Sequence, residues 1–138
     1  MQTTLLSTPI PYHYQAGKSV RRIMLNALMS MHFQKRNKLK VMFQQSLTAI
    51  IKNNIVLLGH SNISTYQVTF TFMSGKSTKS LDVDGFAMAG KWVIDVLKLH
   101  LGVDDSFKFI TAVTYCYGGK ASDGEEQLIL TVVQENGL

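Results

Sequence analysis

The sequence predicts a mixed α/β (α+β) fold, with a mixed sheet packed against two main helices. Two stretches carry apolar residues at helical spacing, from about His32 to Lys52 and from Asp84 or Gly85 to about Leu101. Between them, Ser64–Met73 alternates Tyr66, Val68, Phe70 and Phe72 with Gln67, Thr69 and Thr71, the signature of a half-buried strand. The 138 residues suffice for one hydrophobic core, and no repeat, low-complexity tract or Pro/Gly/Ser-rich linker divides them. Residues 1–138 are therefore expected to form a single compact domain.

Taken in order, residues 1–18 hold both prolines and little periodicity, which predicts an extended, partly ordered arm. Residues 19–31 suit either an extended segment or an early helix. Leu39, Met42, Phe43, Leu47, Ile50 and Ile51 define the apolar face of the first long helix, whose N-terminal turns carry Lys35, Arg36, Lys38 and Lys40. After the strand, Met73-Ser74-Gly75-Lys76 reads as a turn into an exposed loop. The second helix stops at Gly102. Phe107–Tyr117 and Gln127–Gln134 are expected as two further strands, separated by the turn-rich Gly118–Gly124.

Charge is distributed unevenly along the chain. Residues 1–81 hold ten Lys or Arg and no acid, whereas residues 82–138 hold all nine acids and four bases, giving +10 and −5. An acid-free basic half suits phosphate neutralisation, so nucleic acid is the expected partner. The basic residues do not lie on one amphipathic terminal helix, which argues against a membrane surface. The longest apolar run, Ile50–Leu58, is broken by Lys52-Asn53-Asn54 and is too short to span a bilayer. With no secretion signal and a single cysteine, Cys116, a cytoplasmic location is expected, in a bacterium or a phage-infected host. Cys116 reads as an inert core thiol, and His13, His32, His60 and His100 show no zinc-ligand spacing.

Three short segments carry candidate chemistry. In Leu81-Asp82-Val83-Asp84, an extended conformation puts both carboxylates on one side, where a hard divalent ion such as Mg²⁺ would relieve their repulsion. The same pair also suits a helix-capping acid, Asp84, beside a solvated one. At about 100° per residue, Asp84, Met88, Lys91 and Asp95 share one helix face, opposite Phe86, Gly90, Val93, Leu97 and Leu101. Lys91 there suits stabilisation of charge on a phosphate, or an ordinary pair with Asp95. Finally, Asp104 and Asp105 follow a helix C-terminus, where the dipole disfavours acids and a metal would compensate; a surface turn is the plain alternative.

In that order, Leu81-Asp82-Val83-Asp84, Lys91 with Asp95, and Val103-Asp104-Asp105-Ser106 resemble the RusA-like Holliday-junction resolvases of phages and prophages. Leu25-Asn26 followed by His32, Lys35, Arg36 and Lys40 is similar to an N-terminal pattern of the same family, so the likeness spans about residues 24–110. The resemblance implies a homodimeric endonuclease that resolves four-way DNA junctions. It assigns Asp82, Asp84 and Asp105 as carboxylates for Mg²⁺ (or Mn²⁺), Asp104 as the alternative to Asp105, and Lys91 as the catalytic lysine. Phosphate contacts are expected from Arg21, Arg22, His32, Lys35, Arg36, Lys38, Lys40, Lys76 and Lys79, with no small-molecule cofactor and no membrane. The rival expectation is a non-catalytic DNA-binding or replication accessory protein that uses the same basic half.

Overall fold

A computed structural model describes residues 2–56, 64–104 and 106–136. Strands β1 (Gln2–Ile10), β4 (Ser64–Ser74), β5 (Ile110–Lys120) and β6 (Gln127–Asn136) form a sheet in the order β1-β6-β4-β5. Strands β2 (His13–Ala16) and β3 (Ser19–Arg22) form a separate hairpin. The helices are α1 (Leu25–Met29), α2 (Phe33–Asn54) and α3 (Ala87–Leu101), the last preceded by a 3-10 turn at Val83–Phe86. The sheet is mixed: β6 is antiparallel to β1 and β4, while β4 and β5 run parallel. Parallel neighbours need a crossover, which α3 provides. The mixed α+β class expected from the sequence is the one observed.

Alternation decides which face of the sheet is buried. Tyr66, Val68, Phe70 and Phe72 of β4 and Leu128, Leu130 and Val132 of β6 join the core. Phe43, Leu47 and Ile51 of α2 recur every four residues and bury a narrow line. The predicted core face of α3 is buried throughout (Gly90, Val93, Leu97 and Leu101), as is Phe86 in the turn before it. Ala89, Trp92 and Val96 are buried too. Against α2, Trp92 packs on Phe43 at 5.9 Å, and its carbonyl accepts from Gln44 Nε2 at 3.1 Å. Gly102, at φ 70°, ends α3 in the left-handed conformation that glycine tolerates best.

Three expectations need correction. Residues 2–10 are extended as expected, but they are the sheet's edge strand rather than a partly ordered arm, with Leu5, Leu6 and Ile10 buried. A register shift between Thr4 and Leu6 buries two successive leucines and so hides the alternation. The strand expected at Phe107–Tyr117 begins at Ile110, because the Phe109 and Ile110 amides both close onto the Ser106 carbonyl, and Phe107 is exposed. Cys116 is half-buried rather than in the core; its Sγ lies 3.4 Å from Thr71 Oγ1, on the sheet face away from the helices. Tyr115, its neighbour, takes the inward place and stacks on Phe70 at 5.2 Å.

Candidate metal and nucleic-acid cleft

The paired acids lie in the link from β4 to α3. Val83–Phe86 is a 3-10 turn closed by the Gly85 amide on the Asp82 carbonyl at 3.0 Å. Phe86 anchors it in the core, stacked on Phe72 at 5.5 Å and edge-on to Tyr12 at 5.7 Å. Leu81 and Val83 are half-buried while Asp82 and Asp84 are exposed, and both acids line one cleft. Neither caps a helix through its side chain: Phe86 occupies the N-cap of α3. Because Asp84 belongs to the 3-10 turn, a 100° rotation per residue does not extend from it to Lys91.

Asp82 and Asp84 line an open cleft of about 790 Å³, faced by His13, Arg21 and Arg22 of the hairpin and by Asn26 of α1. Neither carboxylate has a side-chain partner among the described residues. That leaves their oxygens available to a hard cation, which binds through one or two carboxylates and keeps several waters. No group of three or more His, Cys, Asp or Glu is arranged for a metal among the described residues, so an ion here would be held by these two carboxylates and water. Asp105 lies outside the described residues. Asp104 accepts the Ser106 amide at 2.9 Å in a local turn. Hydrogen bonding from Ser106 lowers the Asp104 carboxyl below the usual range. The plain turn reading therefore accounts for Asp104.

Lys91 is exposed on α3 and is not among the residues lining the acid cleft. Asp95 pairs with Lys98 at 3.6 Å instead of with Lys91. The basic residues also divide by location. Lys35 and Lys38 border a groove beside the hairpin, Lys40 a shallower one between α2 and α3, and Lys76 and Lys79 a third cleft. Arg36 reaches the Leu28 carbonyl at 3.5 Å. His32 is the N-cap of α2, its Nδ1 accepting the Gln34 amide, so the role observed for it is structural.

Glu126, which the sequence reading passed over, organises the cleft. Its Oε1 accepts Arg22 Nε at 2.8 Å and Tyr12 Oη at 3.0 Å, with His13 Nε2 at 3.3 Å. Its Oε2 accepts Arg22 Nη2 at 2.8 Å and Thr78 Oγ1 at 2.7 Å. One carboxylate thus ties the hairpin to the loop after β4. The Arg22 hydrogen bonds, helped by Thr78 and Tyr12, outweigh burial and hold the Glu126 carboxyl down at about 2. Burial first, then the bond to Glu126, pushes the Tyr12 hydroxyl well above its ordinary range. Arg22 is consequently committed to Glu126, and Arg21, its exposed neighbour, is the arginine the cleft offers to a ligand.

The site lies in a mixed α+β fold and sets two carboxylates, unpartnered among the described residues, in one cleft with a basic hairpin. Compared with known proteins, the chain matches no family model and no curated sequence. No helix among the described residues is long and apolar enough to cross a membrane.

Proposed function

We propose that the protein is a metal-dependent endonuclease acting on branched DNA, with four-way junctions as its substrate, of the RusA-like type. The observation that carries this reading is the cleft that Asp82 and Asp84 line with Arg21, both carboxylates being without side-chain partners among the described residues. Asp82 and Asp84 would hold Mg²⁺ or Mn²⁺, with Asp105 as the third carboxylate the resemblance implies. A divalent ion there supplies Lewis-acid activation of water and screening of phosphate charge. Arg21 would grip a non-bridging phosphate oxygen, and the Arg22–Glu126 pair would keep the hairpin, and so Arg21, in place. Lys91, exposed on the adjoining helix, is a second candidate for offsetting transition-state charge.

A junction has two-fold symmetry and needs two opposed cuts, so a C2 homodimer belongs to the reading. The second reading, a non-catalytic DNA-binding accessory protein, is favoured by the use of Asp104 in a turn and by the absence of Lys91 from the cleft walls. Titrating Mg²⁺ against an immobile four-way junction and a matched linear duplex separates the two. Under the nuclease reading cleavage requires metal, and Asp82→Asn abolishes it while junction binding stays intact or tightens slightly. Full activity in Asp82→Asn would remove the metal assignment, and binding without cleavage at any Mg²⁺ level would leave the accessory protein.

A further inference from the structure

A second cleft, of about 730 Å³, opens where β4 and β5 end side by side. The two strands are parallel and Ser74 is in register with Lys120, so the cleft lies outside the carboxyl ends of a parallel pair. Open α/β sheets characteristically bind ligands at that place. Lys76, Lys79 and Lys120 all line it, no acid is among its lining residues, and none of the three lysines has an ion pair among the described residues.

The cleft is a built structure. Gly75 packs so closely that a Cβ would stand 2.7 Å from both the Glu126 nitrogen and the Gly124 oxygen. The Lys76 amide donates to the Gly124 carbonyl at 2.9 Å, and its aliphatic stem lies over Gly124. Thr78 bridges the Gly75 amide and Glu126. Tyr117, 56% exposed, also lines the cleft, its hydroxyl 2.8 Å from Ser74 Oγ. The basic segments have few aromatics of their own; the fold brings this one to them from β5. Leu81, in the link from β4 to α3, lines both this cleft and the acid cleft, so the two are neighbours.

We propose that this second cleft is a nucleotide subsite for an unpaired segment of the DNA strand, with phosphates on Lys76, Lys79 and Lys120 and a base against Tyr117. The inference rests on the nuclease reading for its choice of DNA. Three cations without acids suit a polyanion, and an aromatic ring beside them suits an unstacked base, which a duplex does not present. The branch point of a junction is where such a base becomes accessible.

The test is fluorescence anisotropy of the intact chain with a labelled oligothymidylate and with a duplex of equal length, for the parent, Lys120→Ala, Tyr117→Leu and Tyr117→Phe. Tyr117→Leu should weaken single-strand binding by about tenfold, the effect of losing one stacked base, while Tyr117→Phe retains it. Lys120→Ala should lower the magnitude of the single-strand salt slope by about 0.7. Duplex affinity should change much less in both Tyr117 variants. Circular dichroism of each variant confirms that it is folded. Single-strand binding equal to the parent's in both Tyr117→Leu and Lys120→Ala overturns the subsite, as does an equal loss on duplex and single strand. Junction cleavage measured in parallel keeps the two proposals apart: its absence in the parent sinks the nuclease alone, and its presence with unaltered oligonucleotide binding sinks the subsite alone.

Discussion

Glu126→Gln tests the organisation of the cleft most directly. The carboxylate is 18% exposed and its partner Arg22 32% exposed, so neither is a freely solvated surface charge. Every contact of Glu126 is made by a group that can donate, and an amide offers only one acceptor oxygen. Either orientation of the glutamine turns an NH₂ toward one N–H of Arg22 and leaves part of a half-buried guanidinium unmatched. Loss of hydrogen bonding to a charged group costs about 1.5–3 kcal/mol. Linkage gives a similar figure: a carboxyl lowered from 4.5 to about 2 corresponds to about 3 kcal/mol at neutral pH. The two are views of one interaction and do not add, so about 2–3 kcal/mol is expected, or a Tm lowered by roughly 6–15 °C for a domain of this size. The pH dependence has a definite sign. A depressed carboxyl stabilises the fold fully above its unfolded value near 4.5 and ceases to do so as pH falls through about 2. Urea denaturation of parent and variant at neutral pH and at about pH 3 should therefore show a gap that narrows in acid. A gap that is constant with pH, or a Tm shift below about 1 °C, would refute the assigned role.

Two further substitutions probe α3. Lys91→Met should slow single-turnover junction cleavage by about 10²-fold with a much smaller change in gel-shift affinity, as expected of one electrostatic stabiliser; unchanged cleavage would leave Arg21 as the sole cation in that role. Gly90→Ala should destabilise the fold by about 1–3 kcal/mol in thermal melts, because a Cβ there collides with the Tyr115 ring. That ring is held by Phe70 and by a hydrogen bond to the Ala87 carbonyl, and a smaller loss in a Tyr115→Phe background would confirm the contact.

Much of the fold was legible because its signals are local. Helix α2, strand β4 and the Gly102 stop follow from side-chain period and from glycine's access to positive φ. Strand β1 was not legible, since its pairing partner lies at the far end of the chain and its bulge breaks the alternation. The cleft was legible in part. Asp82 and Asp84 emerge together because Leu81, Val83 and Phe86 are held from within. By contrast, Arg21 and Arg22 look equivalent in sequence, and only the hairpin's alternation commits one to Glu126 and exposes the other. Glu126 itself carried no signal: one of two adjacent glutamates before a strand resembles any surface acid until Tyr12, Arg22 and Thr78 converge on it.

The segregation of charge along the chain also acquires a physical meaning. The acid-free half builds β1 through β4, α1 and α2, and one acid from the other half, Glu126, reaches back to neutralise Arg22. Asp95 answers Lys98, while Asp104 and Asp123 each accept an amide two residues on and close local turns. Stability and turn geometry thus account for those four. Glu125 and Glu135 lack side-chain partners among the described residues, yet neither shares the acid cleft. Asp82 and Asp84 differ in kind: both line one cleft with Arg21, which has no ion pair among the described residues. Neither carboxylate forms an ion pair among the described residues. Under the nuclease proposal a divalent cation would be drawn there together with a phosphate that Arg21 attracts. Of the described acids, Asp82 and Asp84 are the ones on which the nuclease proposal depends.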